Sequence, residues 1–221
     1  MTIDTSHPSP NQSSRNGAPI TLLVLHATVG DYKSALAWLT NPKSKASTHY
    51  LIKKDGYIAQ LVPDDRAAWH AGVSQWFDLN SEAIREQSIG IELENKNNGI
   101  DPYPPAQMTA LLALCRALVK QYKIVPDMVT RHLDIARPPK RKSDPAGFPW
   151  LPFKASLFAP VTQTVNAGPH GAIARTDYRG GGIAKEYYPP NTPILLDDFH
   201  QNEYRHAASG VGFIADGDLQ L

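Results

Sequence analysis

The 221-residue chain has one cysteine, Cys115. That excludes an intramolecular disulfide and the cysteine-rich, four-ligand sites that hold structural zinc. Its place in a helical apolar pattern marks Cys115 as a small buried hydrophobe. Charge of one sign is equally lacking: Lys+Arg 22 stands against Asp+Glu 21, so a broad polybasic surface is absent and nucleic acid is a poor partner. No apolar run is long enough to cross a bilayer, which argues against membrane insertion. Residues 1–18 are rich in Ser, Pro, Asn and Gln and lack the apolar core of a signal peptide. The expectation is a soluble chain with a flexible polar leader over 1–18, made in the cytoplasm without an export signal of its own.

What is present begins with the apolar run Ile20-Thr21-Leu22-Leu23-Val24-Leu25, which reads as a buried strand ending at His26. Asp31 is placed to cap a helix over 32–39, with Ala35, Leu36 and Leu39 on one stripe. Asp55-Gly56 separates two strand-like runs and predicts a hairpin. Residues 64–73 read as a loop carrying Trp69 and His70. Residues 88–95 alternate, Ile89, Ile91 and Leu93 on one face against Glu92 and Glu94 on the other. A long helix starts at Pro104-Pro105, with Met108, Leu111, Leu112, Cys115, Leu118, Val119 and Tyr122 at core spacing. A short apolar stretch, 129–132, delivers His132. Beyond Pro152 helical periodicity stops, and short apolar runs alternate with turns such as Gly180-Gly181-Gly182, which suggests a small all-β module with its boundary between 158 and 166.

The chemistry-bearing residues stand at the ends of these segments. A lone histidine is usually structural, but His26, His132 and Asp144 together supply two imidazoles and a carboxylate, the donor set of a catalytic zinc site with its fourth position open. Such a site needs an acceptor for the proton of the attacking water, for which Glu92 is the candidate. It also needs a positive partner for the oxyanion, for which Lys142 is the candidate. The plain readings are a solvated strand face for Glu92 and one more surface charge in Lys140-Arg141-Lys142. Against the first, Ile-Gly-Ile-Glu-Leu-Glu is apolar enough for a central strand, where an unpaired carboxylate is costly.

The pieces Leu25-His26-Ala27-Thr28, Ser47-Thr48-His49-Tyr50-Leu51-Ile52 with Asp55-Gly56, Trp69-His70-Ala71-Gly72, Ser88-Ile89-Gly90-Ile91-Glu92-Leu93-Glu94-Asn95, and Arg131-His132 through Asp144-Pro145 occur in one order across residues 19–150. In this the chain resembles the zinc-dependent N-acetylmuramoyl-L-alanine amidases, which share their fold with phage amidase lysozymes and peptidoglycan recognition proteins. The resemblance implies a mixed central sheet flanked by helices over 19–158. It implies Zn2+ on His26, His132 and Asp144, with Glu92 and Lys142 catalytic and Trp69 and His70 in a substrate groove; for His49 it assigns no role. Leu133, the proline-rich loop 136–142 and Ala146-Gly147 depart from the family pattern around the groove. Residues 166–221 resemble bacterial SH3-like domains more faintly, which implies cell-wall binding or, alternatively, a structural extension.

The implied function is hydrolysis of the amide between N-acetylmuramic acid and L-alanine in peptidoglycan or muropeptides, as in a phage-type endolysin or a bacterial wall amidase acting after release. A cytoplasmic muropeptide-recycling amidase and a non-catalytic peptidoglycan binder on the same fold stay open.

Overall fold

The computed structural model describes residues 1–159, 163–175, 184–201, 204–207, 213–215 and 219–220. The chain divides into two compact units, Met1–Phe158 and Ala159–Leu221.

In chain order the first unit comprises β1 (Gln12–Ser14), β2 (Leu22–Ala27), α1 (Tyr32–Leu39), β3 (Tyr50–Ile52), β4 (Ile58–Gln60), β5 (Arg66–Ala68), α2 (Ser81–Gln87), β6 (Ser88–Leu93), α3 (Pro105–Tyr122), β7 (Val129–Arg131), α4 (His132–Ile135) and α5 (Trp150–Phe158). Its main sheet has the order β4-β3-β6-β2-β7. Strands β3, β6, β2 and β7 are parallel, and β4 returns antiparallel to β3 through the Asp55-Gly56 turn.

Helices cover both faces of this sheet, which is why β2 is buried along its whole length. Leu23 and Leu25 of β2 and Ile89, Ile91 and Leu93 of β6 pack against Leu111, Leu114, Cys115 and Leu118 of α3 and against Phe153 and Leu157 of α5. On the other face Leu22 and Val24 meet Ile84 of α2 and Ile135 of α4, while Leu51, Ala59 and Leu61 meet Ala35 and Leu39 of α1. Asp31 caps α1 by accepting the Ser34 N–H at 3.0 Å. Period two places Ser88, Gly90 and Glu92 on the same face as Leu22, Val24 and His26, and the candidate site occupies the polar end of that face.

The leader is docked, contrary to the flexibility expected of residues 1–18. Strand β1 pairs antiparallel with β5, inside the segment read as a loop. Ser9 donates to the Leu39 carbonyl at 2.5 Å, and the Asn11 amide donates to the carbonyls of Asn41 and Ala46, both at 2.9 Å. Arg15 is buried, its guanidinium donating to the carbonyls of Asp64, Glu86 and Ser88 at 2.6, 2.5 and 3.0 Å. Short polar side chains saturating neighbouring loop carbonyls hold this segment, an attachment that leaves no hydrophobic periodicity to read. In α3, Leu114 is core, whereas Met108, Leu112, Val119 and Tyr122 are only partly buried. Strand β7 stops at Arg131, so His132 opens α4 and does not close a strand.

Among its described residues the second unit is all-β: β8 (Gln163–Ala167), β9 (Ala172–Arg175), β10 (Ala184–Tyr188), β11 (Pro193–Gln201), β12 (Tyr204–Ala207), β13 (Phe213–Ala215) and β14 (Leu219–Gln220). They form one antiparallel sheet in the order β10-β9-β13-β12-β11-β8-β14. Ala167, Ala172, Ile194, Ile214 and Leu219 make its core. Strand β8 pairs with β11 and begins before Asn166, ahead of the expected start of the module. The glycine turn at 180–182 lies outside the described residues. No helix among the described residues is long and apolar enough to cross a membrane.

Candidate metal centre

Three neighbouring parallel strands present the polar side chains in a row. His26 at the end of β2 is the register partner of Glu92 in β6. On the other side Leu25 pairs with Arg131, so His132, one residue on, comes level with His26. The carboxyl ends of parallel strands are where open α/β sheets bind ligands. Asp144 arrives from the loop after α4, held where its carbonyl accepts the Leu133 N–H at 2.9 Å.

His26 Nδ1 and His132 Nδ1 are 3.0 Å apart. Asp144 Oδ2 lies 2.9 Å from the latter and 3.4 Å from the former. Donors on a tetrahedral zinc at roughly 2.0–2.1 Å are about 3.4 Å from one another; one of the three separations here matches that spacing and the other two are somewhat shorter. All three residues are buried, and among the described residues they are the group of His, Cys, Asp or Glu side chains able to hold a metal ion. Two imidazoles and a carboxylate suit zinc by donor chemistry, and the residues fit the ion.

Electrostatics prepare the donors. Burial, and then the neighbouring His132, push His26 down to about 4, leaving the neutral imidazole that ligates metals. Burial pushes the Asp144 carboxyl up, but the imidazoles of His132 and His26 beside it more than reverse this and hold it well below the usual carboxylate range. Glu92 moves the other way: burial first, and Asp144 second, push it up to about 8. Its Oε2 is buried without a hydrogen-bond partner, a cost that folds seldom carry without a use for the group.

These residues open on a cavity of about 320 Å³ whose lining includes Glu92, His132, Lys142, Asp144, Trp69 and His70. The exposed Lys142 thus reaches the same space as the buried Asp144 and the half-buried Glu92. Trp69 is pinned to the leader, its indole N–H donating to Ser13 Oγ at 3.2 Å. His70 stands behind His26, its Nδ1 3.0 Å from His26 Nε2 and its Nε2 2.9 Å from Ser88 Oγ. Burial, and then His26 beside it, hold its pKa well below the ordinary value, so the ring is neutral.

Six of the seven residues singled out from sequence therefore line one space, and the seventh, His26, joins His132 and Asp144 beside it. Others were not anticipated. Asn97 clasps the loop that carries Lys142 and Asp144, donating to Ser143 Oγ at 3.0 Å and accepting the Ala146 N–H at 2.6 Å. Asn97-Asn98-Gly99 signals a turn in sequence, but nothing there names its partner. His49, left without a role, is a brace inside the fold: its Nδ1 accepts the Gly90 N–H at 3.0 Å, and its Nε2 faces the Arg66 carbonyl at 3.0 Å and Arg15 at 2.8 Å.

Fold and site together define a mixed α/β domain with a three-donor, metal-ready centre at the ends of its parallel strands. The chain belongs to the N-acetylmuramoyl-L-alanine amidase family, whose sequence model matches residues 16–147. It is 42% identical over 146 residues to N-acetylmuramoyl-L-alanine amidase AmiD of Escherichia coli, covering 59% of this chain and 51% of AmiD. It is 43% identical over 112 residues to 1,6-anhydro-N-acetylmuramyl-L-alanine amidase AmpD of Enterobacter cloacae, covering 50% of this chain and 57% of AmpD. Among solved structures, E. coli AmiD in complex with the substrate anhydro-N-acetylmuramic acid-L-Ala-D-gamma-Glu-L-Lys matches with a TM-score of 0.56 and 36% identity, over 68% of this chain and 59% of that one. The chain spans about half the length of the curated relatives it matches.

Proposed function

We propose that the first unit is a zinc-dependent amidase that cleaves the bond between N-acetylmuramic acid and L-alanine. The observation that carries this is the row Glu92, His26, His132 with Asp144, whose three donor atoms stand 2.9 to 3.4 Å apart at the mouth of a cavity shared with Lys142. Zinc held by His26, His132 and Asp144 would supply Lewis acidity, polarising the amide carbonyl and lowering the pKa of an attacking water towards about 7.

The chain's own side chains do the rest. Glu92 takes the proton of the attacking water and passes it to the departing amine of alanine, a role suited to a carboxyl whose pKa lies near neutrality. Lys142 places its charge where the carbonyl oxygen becomes negative. Trp69 and His70 form the wall on which the substrate rests. The AmiD complex with an anhydro-muropeptide supports a substrate of that chemistry. A pure peptidoglycan binder has no use for the unpaired Glu92. We further assign the second unit, as an SH3-like module, to holding the wall polymer.

Digestion is the test. Intact sacculi and soluble muropeptides, treated in parallel, should yield new L-alanine amino termini and no new reducing sugar ends, since the bond to be cut is an amide and Asp144, the carboxylate beside Glu92, is assigned to the metal in place of a glycosidase's second acid. New reducing ends without new amines would reject the assignment. The faster of the two substrates separates a lytic, endolysin-type role from a recycling one.

A further inference from the structure

We infer that His70 is a positioning residue that fixes which ring nitrogen of His26 faces the metal centre, an inference that rests on the zinc-site reading above. Its basis is a chain of hydrogen bonds whose direction is set from one end. At the close of α2 the Ser88 hydroxyl lies 2.5 Å from the Ile84 carbonyl. A carbonyl only accepts, so the single hydroxyl proton is committed there. Ser88 Oγ can then only accept from His70 Nε2, 2.9 Å away.

A neutral imidazole carries one N–H. With that proton on Nε2, His70 Nδ1 is a bare acceptor and takes the N–H of His26 Nε2 at 3.0 Å. His26 Nδ1 is left with its lone pair directed at His132 and Asp144. The other imidazole is oriented by a shorter route, His132 Nε2 donating to the Ala71 carbonyl at 3.2 Å. Two main-chain carbonyls, Ile84 and Ala71, thus orient both imidazoles, and His26 Nδ1, His132 Nδ1 and Asp144 Oδ2 converge on one point.

The fold makes room for this device at one residue. His70 lies directly against the backbone of β6 at Gly90, where a Cβ would come within 2.5 Å of His70 Cγ. Any side chain at position 90 would lift the ring out of line with both Ser88 and His26.

The test measures Zn2+ affinity of the full chain by competition with a chromophoric chelator, for wild type, His70→Phe, His70→Asn and His26→Ala. His70→Phe should bind zinc roughly 10–100-fold more weakly, the usual loss on removing a partner behind a ligand. His70→Asn should recover most of that loss, because Oδ1 replaces Nδ1 as acceptor. In zinc-loaded, 15N-labelled wild type, a scalar coupling should pass across the hydrogen bond from His26 Nε2 to His70 Nδ1, with the His70 proton on Nε2. Finding that proton on Nδ1, or no coupling, overturns the inference even if the variants fail to fold. Equal affinity of His70→Phe and wild type, with zinc lost in His26→Ala, overturns it while leaving the metal site intact. Undiminished affinity in His26→Ala overturns the metal reading itself.

Discussion

His26 and Glu92 are register partners across the parallel pair β2 and β6, so a neutral imidazole and a carboxyl displaced towards neutrality stand side by side on rigid backbone. They share one face, His26 buried and Glu92 half-buried, yet their titrations are driven in opposite directions, His26 down to about 4 and Glu92 up to about 8.

Glu92→Gln keeps the shape of the side chain and removes its ability to accept a proton. In the zinc-loaded protein we expect metal content to be kept while kcat falls by roughly two to four orders of magnitude, the range for a positioned acid–base group. A rate within threefold of wild type would return the fold to the role of a binder.

The same residue predicts a pH dependence of stability. Glu92 is raised from 4.5 to about 8 in the folded protein. Between those values the folded state holds more protons than the unfolded one, so the zinc-stripped protein should lose this contribution as pH rises through the interval. Stripped Glu92→Gln should therefore melt above stripped wild type at pH 8, and the gap should close towards pH 4. A gap that is constant with pH would show that Glu92 is not the raised carboxyl.

Metal analysis should find about one zinc per chain, in keeping with the three-donor group present among the described residues. Chelation should abolish amide hydrolysis and added zinc should restore it. Full turnover by protein free of transition metal would remove the ion from the reaction.

Arg15→Ala tests whether the leader is structural. It strips the carbonyls of Asp64, Glu86 and Ser88 of their donor. Buried hydrogen bonds from a charged group are worth about 1.5–3 kcal/mol, so urea unfolding should show a loss of at least about 2 kcal/mol. An unchanged midpoint would mean that the segment is not bound in solution.

A chain ending at Ala159 should fold, bind zinc and cleave soluble muropeptides at close to the full-length rate. It should lose retention on sacculi, because a wall-binding module raises local concentration and adds nothing to the chemical step. Parallel loss of soluble-substrate activity would make the second unit part of the catalytic fold.

Legibility followed the physics of each region. Strand β2, α1 with its Asp31 cap, the Asp55-Gly56 hairpin and β6 were readable because burial, capping and turn chemistry each leave a local pattern. His26, Glu92 and His132 were readable as a set because each ends or follows such a segment. Strands β1 and β5 were not: three residues each, they are held by pairing with one another, and half of that pair lies in a polar leader. The route of Arg15 into the core and the clasp of Asn97 on Ser143 were invisible for the same reason, since a single polar side chain carries no period. Helix α2 was also missed: seven residues bury one apolar side chain, Ile84.

The order of strands sets a timetable for assembly. Strand β2 is made early, but it lies between β6 and β7, whose residues follow some 60 to 110 positions later, and Asp144 comes later still. Pairings this distant close late and slowly, and the three donors cannot converge until they have closed. A growing or half-folded chain therefore has no pocket with which to sequester an ion. On the zinc assignment proposed above, the ion is acquired only by molecules that have finished folding, so its uptake, followed in real time during refolding, should serve as a clock for the last event in the construction of the sheet.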